Sequence, residues 1–569
     1  MKILLIYPYF VEERMRAEDV RPVPIGLYSV ATVLMDEGYD VEILNWHDIH
    51  KTPEKIRETL IQKNPDVIGF SILHGNRWGG IELARVAKKV NPDVTVLFGG
   101  IGATFLWEHF LKHFPEIDFV ILGEGESPTL HLLRALEKPG KPHIERIQGI
   151  AFRKEGEPVS TGRAVPIENL DALPIPAKYF AYQHVSSSRG CAWKCTFCGS
   201  PQFWGRSIRF RSPAHFVEEL EMLVQKGVTF FYVSDDAFTI DKERVIKICR
   251  RIIEKKLGIT WFAISRVNGV DEEMLVWMRK AGCIQISYGI ESGSQEIRKR
   301  FNKRINRDQI KRAFTLTTKC GILSRAYFIY GSPGETWETV QETIDLIMEI
   351  KPLSAIFYIL DLFPGTALYA DLKRQSGITD DVWLKKMEGI MYFETDPNLS
   401  DDLVLAFGKR LRTSFYENVD SFARTVSLVP REDLYEGHAD FCSRLGMTFF
   451  CGDYATIELI RNKEKTAEEL FTQSRRYFPD QRAYLGLGLI RQKRGEIQAS
   501  VQILLEGLKR WPDSEELNTC LGVNFMNLGE FERALSLFSK FPESKAAGTY
   551  AAECRKALSR QTSLTKHLP

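Results

Sequence analysis

The sequence lacks long apolar runs. No stretch approaches the ~20 residues that a membrane-crossing helix requires, so nothing in it reads as a transmembrane segment. It also lacks an excess of either charge, with 76 lysines and arginines against 74 acidic residues and a net charge of +2. A nucleic-acid surface needs a basic excess, and that class has no electrostatic support. Cysteine is scarce: ten in 569 residues form no disulfide framework. The opening MKILLIYPYF is too short for an export signal. Pro8 interrupts it, and Glu12, Glu13 and Arg14 follow without a small-residue cleavage site. It reads as a buried first strand, and a reducing cytoplasm is the expected location. In that setting a tight cysteine group means metal more often than disulfide.

What is present is the composition of a globular protein, 44% hydrophobic and 26% charged, in a chain long enough for about three domains. Residues 1–140 alternate strand and helix, with apolar runs at Lys2–Tyr7, Val41–Asn45, Asp66–Ile72, Val94–Phe98 and Phe119–Leu122. Such alternation implies a parallel sheet covered on both faces, a Rossmann-like α/β domain, with ligands beyond the carboxyl ends of its strands. Those ends carry SILHGN (71–76), GGIGAT (99–104) and GEGE (123–126). A dinucleotide-binding fold is the competing reading, but no G-x-G-x-x-G opens the first helix. Residues 141–180 are punctuated by Pro142, Pro158, Pro166, Pro174 and Pro176 and read as a linker with a small hairpin. From 181 to 400 the β/α rhythm resumes, and about six units predict a partial (β/α)6 barrel with its active site at the C-terminal mouth. A helical connector fills 401–465. Over 466–560, Leu487-Gly488 recurs as Leu521-Gly522 and Gly495-Glu496 as Gly529-Glu530. That spacing of about 34 resembles tetratricopeptide repeats, a surface that would serve a protein partner.

The chemistry concentrates in S-R-G-C-A-W-K-C-T-F-C-G-S-P, where Cys191, Cys195 and Cys198 stand at C-x3-C-x2-C. One short loop can offer three thiolates to a cubane and leave the fourth iron open. Structural zinc wants four closed ligands, and His184, the nearest candidate for a fourth, lies outside the loop. The remaining cysteines are isolated and read as buried thiols, with Cys442 and Cys451 too loosely spaced for a cluster.

With Phe197 before the last cysteine, this motif resembles the radical S-adenosylmethionine superfamily. The likeness continues in order along the barrel. VSDDAFT implies that Asp235 or Asp236 meets the methionine amino group, and ISRVN places Arg266 at the methionine carboxylate. GIESGS places Glu291 and Ser292 near ribose and carboxylate, and YFIYGSPGET places Gly331 on the adenine side. LDLFPGT (360–366) marks one branch of the superfamily. A Rossmann-like domain ahead of such a barrel resembles the cobalamin-dependent branch. The resemblance implies B12 contacts at Ser71, His74, Asn76, Gly99, Gly100, Glu124 and Gly125, since glycines at strand ends admit a large flat macrocycle. The cobalt-ligating D-x-H-x-x-G is missing after the first strand, as is usual in this branch. His74 either faces cobalt or is a loop histidine bonded to backbone.

The resemblance therefore implies a [4Fe–4S] cluster, S-adenosylmethionine and cobalamin as cofactors. The expected activity is methyl transfer to an unactivated carbon through a 5′-deoxyadenosyl radical and methylcobalamin. The alternative is a radical oxidoreductase or cyclase acting on a tetrapyrrole, lipid or other metabolite. A non-catalytic sensing module is disfavoured by the intact cysteine loop. Expected partners are a small-molecule or lipid substrate and an electron donor such as flavodoxin or ferredoxin. Specificity is expected from the region after Thr366, including Trp383 and Tyr392.

Overall fold

The structure is a computed structural model describing residues 1–11, 22–138 and 143–565. Glu12, Glu13, Arg14 and Pro142, invoked above, lie outside them. The chain forms two compact units. One comprises Met1–Ala313, Arg325–Glu349 and Ala355–Leu411; the other comprises Phe314–Ser324, Ile350–Ser354 and Arg412–Pro569.

In the first unit, β1 (Lys2–Tyr7), β2 (Asp40–Asn45), β3 (Val67–Ser71), β4 (Thr95–Gly99) and β5 (Phe119–Ile121) pair in parallel in the order 2-1-3-4-5. This is a doubly wound sheet whose order reverses beside β1. Its strands are apolar on both faces because both are covered. Leu4, Ile6, Ile68, Phe70, Val96 and Phe98 face one core. Ile3, Leu5, Val67, Leu97 and Ile121 face the other.

Residues 141–180 need a correction, because their hairpin is no part of a linker. β6 (Ile150–Lys154) pairs antiparallel with β5, and β7 (Glu157–Ser160) pairs antiparallel with β6, so the sheet has seven strands and ends at Ser160. The prolines suggested loop, but Pro158 sits on the edge strand, where a missing N–H costs no ladder bond.

The second sheet has six strands in the order β15-β14-β13-β12-β11-β8: β8 (His184–Val185), β11 (Phe230–Val233), β12 (Thr260–Ser265), β13 (Cys283–Glu291), β14 (Leu323–Tyr330) and β15 (Ser354–Ile359). A short ribbon of β9 (Ser188–Arg189) and β10 (Arg209–Phe210) flanks the cysteine loop. Along β11 and β12, Phe231, Val233, Trp261 and Ala263 are buried, whereas Tyr232 and Ile264 between them are about two-fifths exposed. One face of this sheet is packed and the other is open. Trp383 is fully buried, so it is a core residue and not a platform for substrate.

The second unit is helical apart from short strand contributions. Its helices include Tyr435–Phe450, Lys463–Tyr477, Gln481–Lys493, Ile497–Leu508, Glu515–Asn527 and Phe531–Phe538. Glycines allow close helix approach: a Cβ on Gly488 would meet Leu504, and one on Gly522 would meet Phe538. Among the described residues no helix is long and apolar enough to cross a membrane.

Candidate active site

The cysteine loop is fixed before any metal is considered. Gly190 has φ +109°, and a Cβ there would lie 2.4 Å from the Ser207 carbonyl oxygen, so only glycine fits ahead of Cys191. Asn302 donates to the Lys194 carbonyl (2.8 Å), and the Thr196 N–H donates to that of Phe301 (3.1 Å). Phe197 packs edge-on to Phe301 with ring centres 5.0 Å apart. The three thiols are half-buried. Burial pushes Cys191 up and Cys198 up to about 12 in the metal-free chain. A bound cation reverses that preference, because a coordinating thiol is deprotonated outright.

Arg266 follows β12 and reaches the loop. Its guanidinium lies 4.3 Å from the Trp193 ring centre, and Nη1 is 3.7 Å from Cys195 Sγ. Nη2 donates to the Lys303 carbonyl, while Nε is buried without a hydrogen-bond partner. A buried guanidinium with a free donor beside a thiol loop is suited to an anion. Glu291, at the end of β13, holds φ +68°, which is rare for a residue with a side chain, and binds Lys303 Nζ at 2.6 Å. Gly331 also has φ +72°, and its N–H and that of Ser332 donate to Glu335 Oε2 at 2.5 and 3.0 Å. Burial lifts the Glu335 carboxyl to about 7, against those two donors.

Asp235 and Asp236 divide sharply. Asp235 is buried and saturated, accepting from Ser187 N (2.6 Å), Ser187 Oγ (2.5 Å) and Ser188 Oγ (2.6 Å). It is corrected from ligand candidate to brace of the segment entering the cysteine loop. Asp236 is open to solvent and takes a bond from Ser200 Oγ at 2.5 Å. Desolvation of the carboxylate, with the charge of Asp235, pushes its carboxyl up against the Ser200 bond, and it faces Cys191 and Cys198 closely enough to raise their thiols. Ser292 needs the same correction as Asp235. Its buried hydroxyl is 3.2 Å from Thr343 Oγ1 and accepts from Ser294 N, so it holds a turn.

Beside the loop lies a cavity of about 390 Å³. Gly99, Gly100, Gly123, Glu124 and Gly125 from the first sheet line it, with Ser71, and Ser188 and Arg189 close it from the other side. Gly100 has φ +96°, where a Cβ would sit 2.7 Å from the Ile72 oxygen, while one on Gly123 would meet nothing within 4 Å. Backbone therefore forms this wall and leaves it open.

His74 and Asn76 do not line the cavity and are corrected accordingly. Asn76 is fully buried; it accepts from Leu73 N (2.9 Å) and donates to the Ser71 carbonyl (3.1 Å), bracing its own loop. His74 is packed 4.4 Å from the Trp383 ring, with Nε2 3.4 Å from Arg77. Burial and the Arg77 charge hold its imidazole well below the usual range, so it is neutral.

Sequence reasoning named Ser71 and Glu124 but missed the rest of the cavity's polar wall. Arg189 Nη2 donates to Glu126 Oε1 at 2.5 Å, and Nη1 is 3.6 Å from Glu124. Arg209 Nη2 meets Glu124 at 2.5 Å, and Ser29 Oγ donates to Glu126 at 2.7 Å. Burial opposes ionisation of Glu126, yet Arg189 and Ser29 outweigh it and hold the carboxyl below its ordinary range. The partners are 63 or more residues apart. The visible clue was an arginine two positions before Cys191.

Comparisons with known proteins agree with this arrangement. Residues 185–347 match the Radical SAM superfamily and residues 20–133 match the B12 binding domain. The chain is 31% identical over 391 residues to an anaerobic magnesium-protoporphyrin IX monomethyl ester cyclase of Rubrivivax gelatinosus, covering 65% of this chain and 70% of that one. It is 32% identical over 381 residues to an uncharacterized methyltransferase of Pyrococcus horikoshii, covering 65% and 82%. In fold it is similar to the cobalamin-dependent S-adenosylmethionine radical enzyme OxsB, with a TM-score of 0.56, 16% identity and coverage of 98% and 84%. It is likewise similar to the methyltransferase TsrM of Kitasatospora setae, solved with cobalamin and a [4Fe-4S] cluster, with a TM-score of 0.57, 20% identity and coverage of 66% and 75%. With the cysteine loop and the glycine-walled cavity side by side, the chain belongs to the radical S-adenosylmethionine enzymes that carry a B12-binding domain.

Proposed function

We propose that this protein is a cobalamin-dependent radical S-adenosylmethionine methyltransferase that methylates an unactivated carbon. The observation that carries the reading is the shared wall: Arg189 lines the cavity of the first sheet and stands two residues before Cys191. A cofactor in that cavity and a metal on that loop would act on one substrate.

The residues fit both groups. Three half-buried thiols on one loop suit a cluster with one open iron. A backbone-walled cavity with room beyond Gly123 suits a bulky macrocycle's tail. When bound, these groups supply reductive cleavage of S-adenosylmethionine and a methyl group for transfer. The chain's own residues would do the rest. Arg266 pairs the methionine carboxylate with its free Nε, and Asp236 accepts from the amino group. Glu291, pinned by Lys303, presents its strained backbone toward the ribose. Tyr232, Ile264 and Tyr358, on the open face, keep water from the reactive species and offer an apolar surface to a lipid or other hydrophobic small molecule. An electron donor such as flavodoxin or ferredoxin would reduce the cluster. The helices Gln481–Lys493 and Glu515–Asn527, and likewise Ile497–Leu508 and Phe531–Phe538, begin 34 residues apart, which supports reading this region as tetratricopeptide-like and able to take a protein partner.

A second reading is favoured by the named cyclase relative: radical oxidation or ring closure. Product mass separates the two. Anaerobic turnover should add one methylene unit to substrate, whereas loss of two hydrogens identifies the cyclase. Cys195→Ala should abolish cleavage of S-adenosylmethionine; full activity in that variant would sink both readings.

A further inference from the structure

Away from the thiol loop, the helix Trp107–His113 carries two histidines four residues apart, on one face. Their ring centres are 5.1 Å apart, and His113 Nε2 lies 2.8 Å from Asp381 Oδ1. One donor atom from each of His109, His113 and Asp381 lies within 4.8 Å of the other two. His109 is buried, and its Nδ1 has no hydrogen-bond partner, although a buried ring nitrogen ordinarily finds one. Asp381 opens the site to solvent.

We infer that His109, His113 and Asp381 bind a divalent transition metal, with Zn²⁺ the best match. Two imidazoles and one carboxylate form a borderline-soft donor set, and paired histidines at i and i+4 are a recurrent zinc arrangement. Ligands around tetrahedral zinc stand roughly 3.3 Å apart, so closing the site needs side-chain shifts of about 1 Å. Solvent at Asp381 supplies the fourth ligand. Two carboxylates, Asp380 and Asp381, stand near His109. Asp380 is itself engaged by Tyr369 and Lys373, which leaves Asp381 as the acidic ligand.

The metal would act as a staple. The helix Trp107–His113 belongs to the first sheet's layer, whereas Asp381 lies in the segment Asp380–Leu384 that follows the second sheet. Arg77 and Trp78 already donate to carbonyls of Glu388, Met387 and Lys385 just after that segment. A zinc there would fasten the two sheets' domains.

The test uses the full-length chain with its cluster assembled, titrated anaerobically with Zn²⁺ and then desalted, with zinc and iron counted per chain. His113→Gln and Asp381→Asn are the comparison variants, because both side chains are partly exposed and either variant should fold. The expected result is one zinc in the wild type, none in His113→Gln, at least tenfold weaker binding in Asp381→Asn, and unchanged iron throughout. Zinc should also raise the wild-type unfolding midpoint and leave that of His113→Gln unmoved. Equal zinc in wild type and His113→Gln, or none in either, overturns the site and leaves His113 and Asp381 as an ordinary ion pair.

Discussion

Arg189 illustrates how much one side chain can carry. Its side chain is only 15% exposed, and its two carboxylate partners are at most 8% exposed. Replacing Arg189 by Met leaves Glu126 charged and unpaired, which costs about 3–5 kcal/mol for a buried pair broken on one side. The unfolding midpoint should therefore fall by several degrees and cobalamin should no longer be retained through gel filtration. A variant that unfolds and binds B12 like the wild type would refute the coupling. Added salt should change little, because a buried pair is poorly screened. At Gly190 the argument is steric. Gly190→Ala adds a Cβ 2.4 Å from a carbonyl oxygen at φ +109°, so iron per chain after reconstitution should drop severalfold; undiminished iron would show that the loop tolerates the strain. The cysteines were legible in the sequence because their geometry is local. Asp235 was not, because its partners Ser187 and Ser188 stand 48 and 47 residues away. Nothing in V-S-D-D-A shows which carboxylate turns inward.

Elements were legible to the extent that their pattern was local too. Phe230–Val233 and the apolar cores of the other long strands follow from β-branched and aromatic runs between charged helices. The β6–β7 hairpin was missed as part of the first domain because its pairing partner, β5, lies about thirty residues earlier and proline masked the alternation. The turn after β14 makes a pH prediction. Glu335 titrates at about 7 against an ordinary 4.5, because burial penalises its charged form. A raised carboxyl pKa means that the folded state prefers the proton. Its contribution is therefore complete below about pH 4.5 and is lost as pH rises through 7. That displacement corresponds to about 3 kcal/mol. Glu335→Gln keeps an acceptor for the Gly331 and Ser332 N–H groups and removes the charge. Between pH 5 and 8 the wild-type unfolding midpoint should fall relative to that of Glu335→Gln. Parallel profiles would mean that Glu335 ionises freely in the fold.

At the scale of the whole molecule, the sequence shows three domains in a row, but the compact units do not follow that order. Phe314–Ser324 and Ile350–Ser354, which feed β14 and β15, cluster with the helices after Arg412. The ties are specific. The Val429 N–H donates to the Lys319 carbonyl at 2.9 Å, and the Tyr454 hydroxyl donates to that of Leu353 at 2.7 Å. A Cβ on Gly321 would lie 2.8 Å from His438 Nδ1, so backbone and imidazole are in close packing there. These contacts are invisible in sequence because they join residues about a hundred positions apart. They also predict where the chain can be cut. Ending it at Leu411 removes every partner just named and exposes the segments that enter two strands, so that form should be insoluble or fail to assemble its cluster. Ending it at Pro479 keeps the helices Tyr435–Phe450 and Lys463–Tyr477, which are joined by Ser474 Oγ donating to the Ala439 carbonyl at 2.8 Å. What is lost is the packing of Gly486 on Phe471 and the Arg482–Asp440 pair. The shorter chain should therefore remain soluble with a lower midpoint, hold iron at the wild-type level and cleave S-adenosylmethionine. Equal behaviour of the two truncations, judged by soluble yield and iron per chain, would show that the helices after Arg412 do not support the strands.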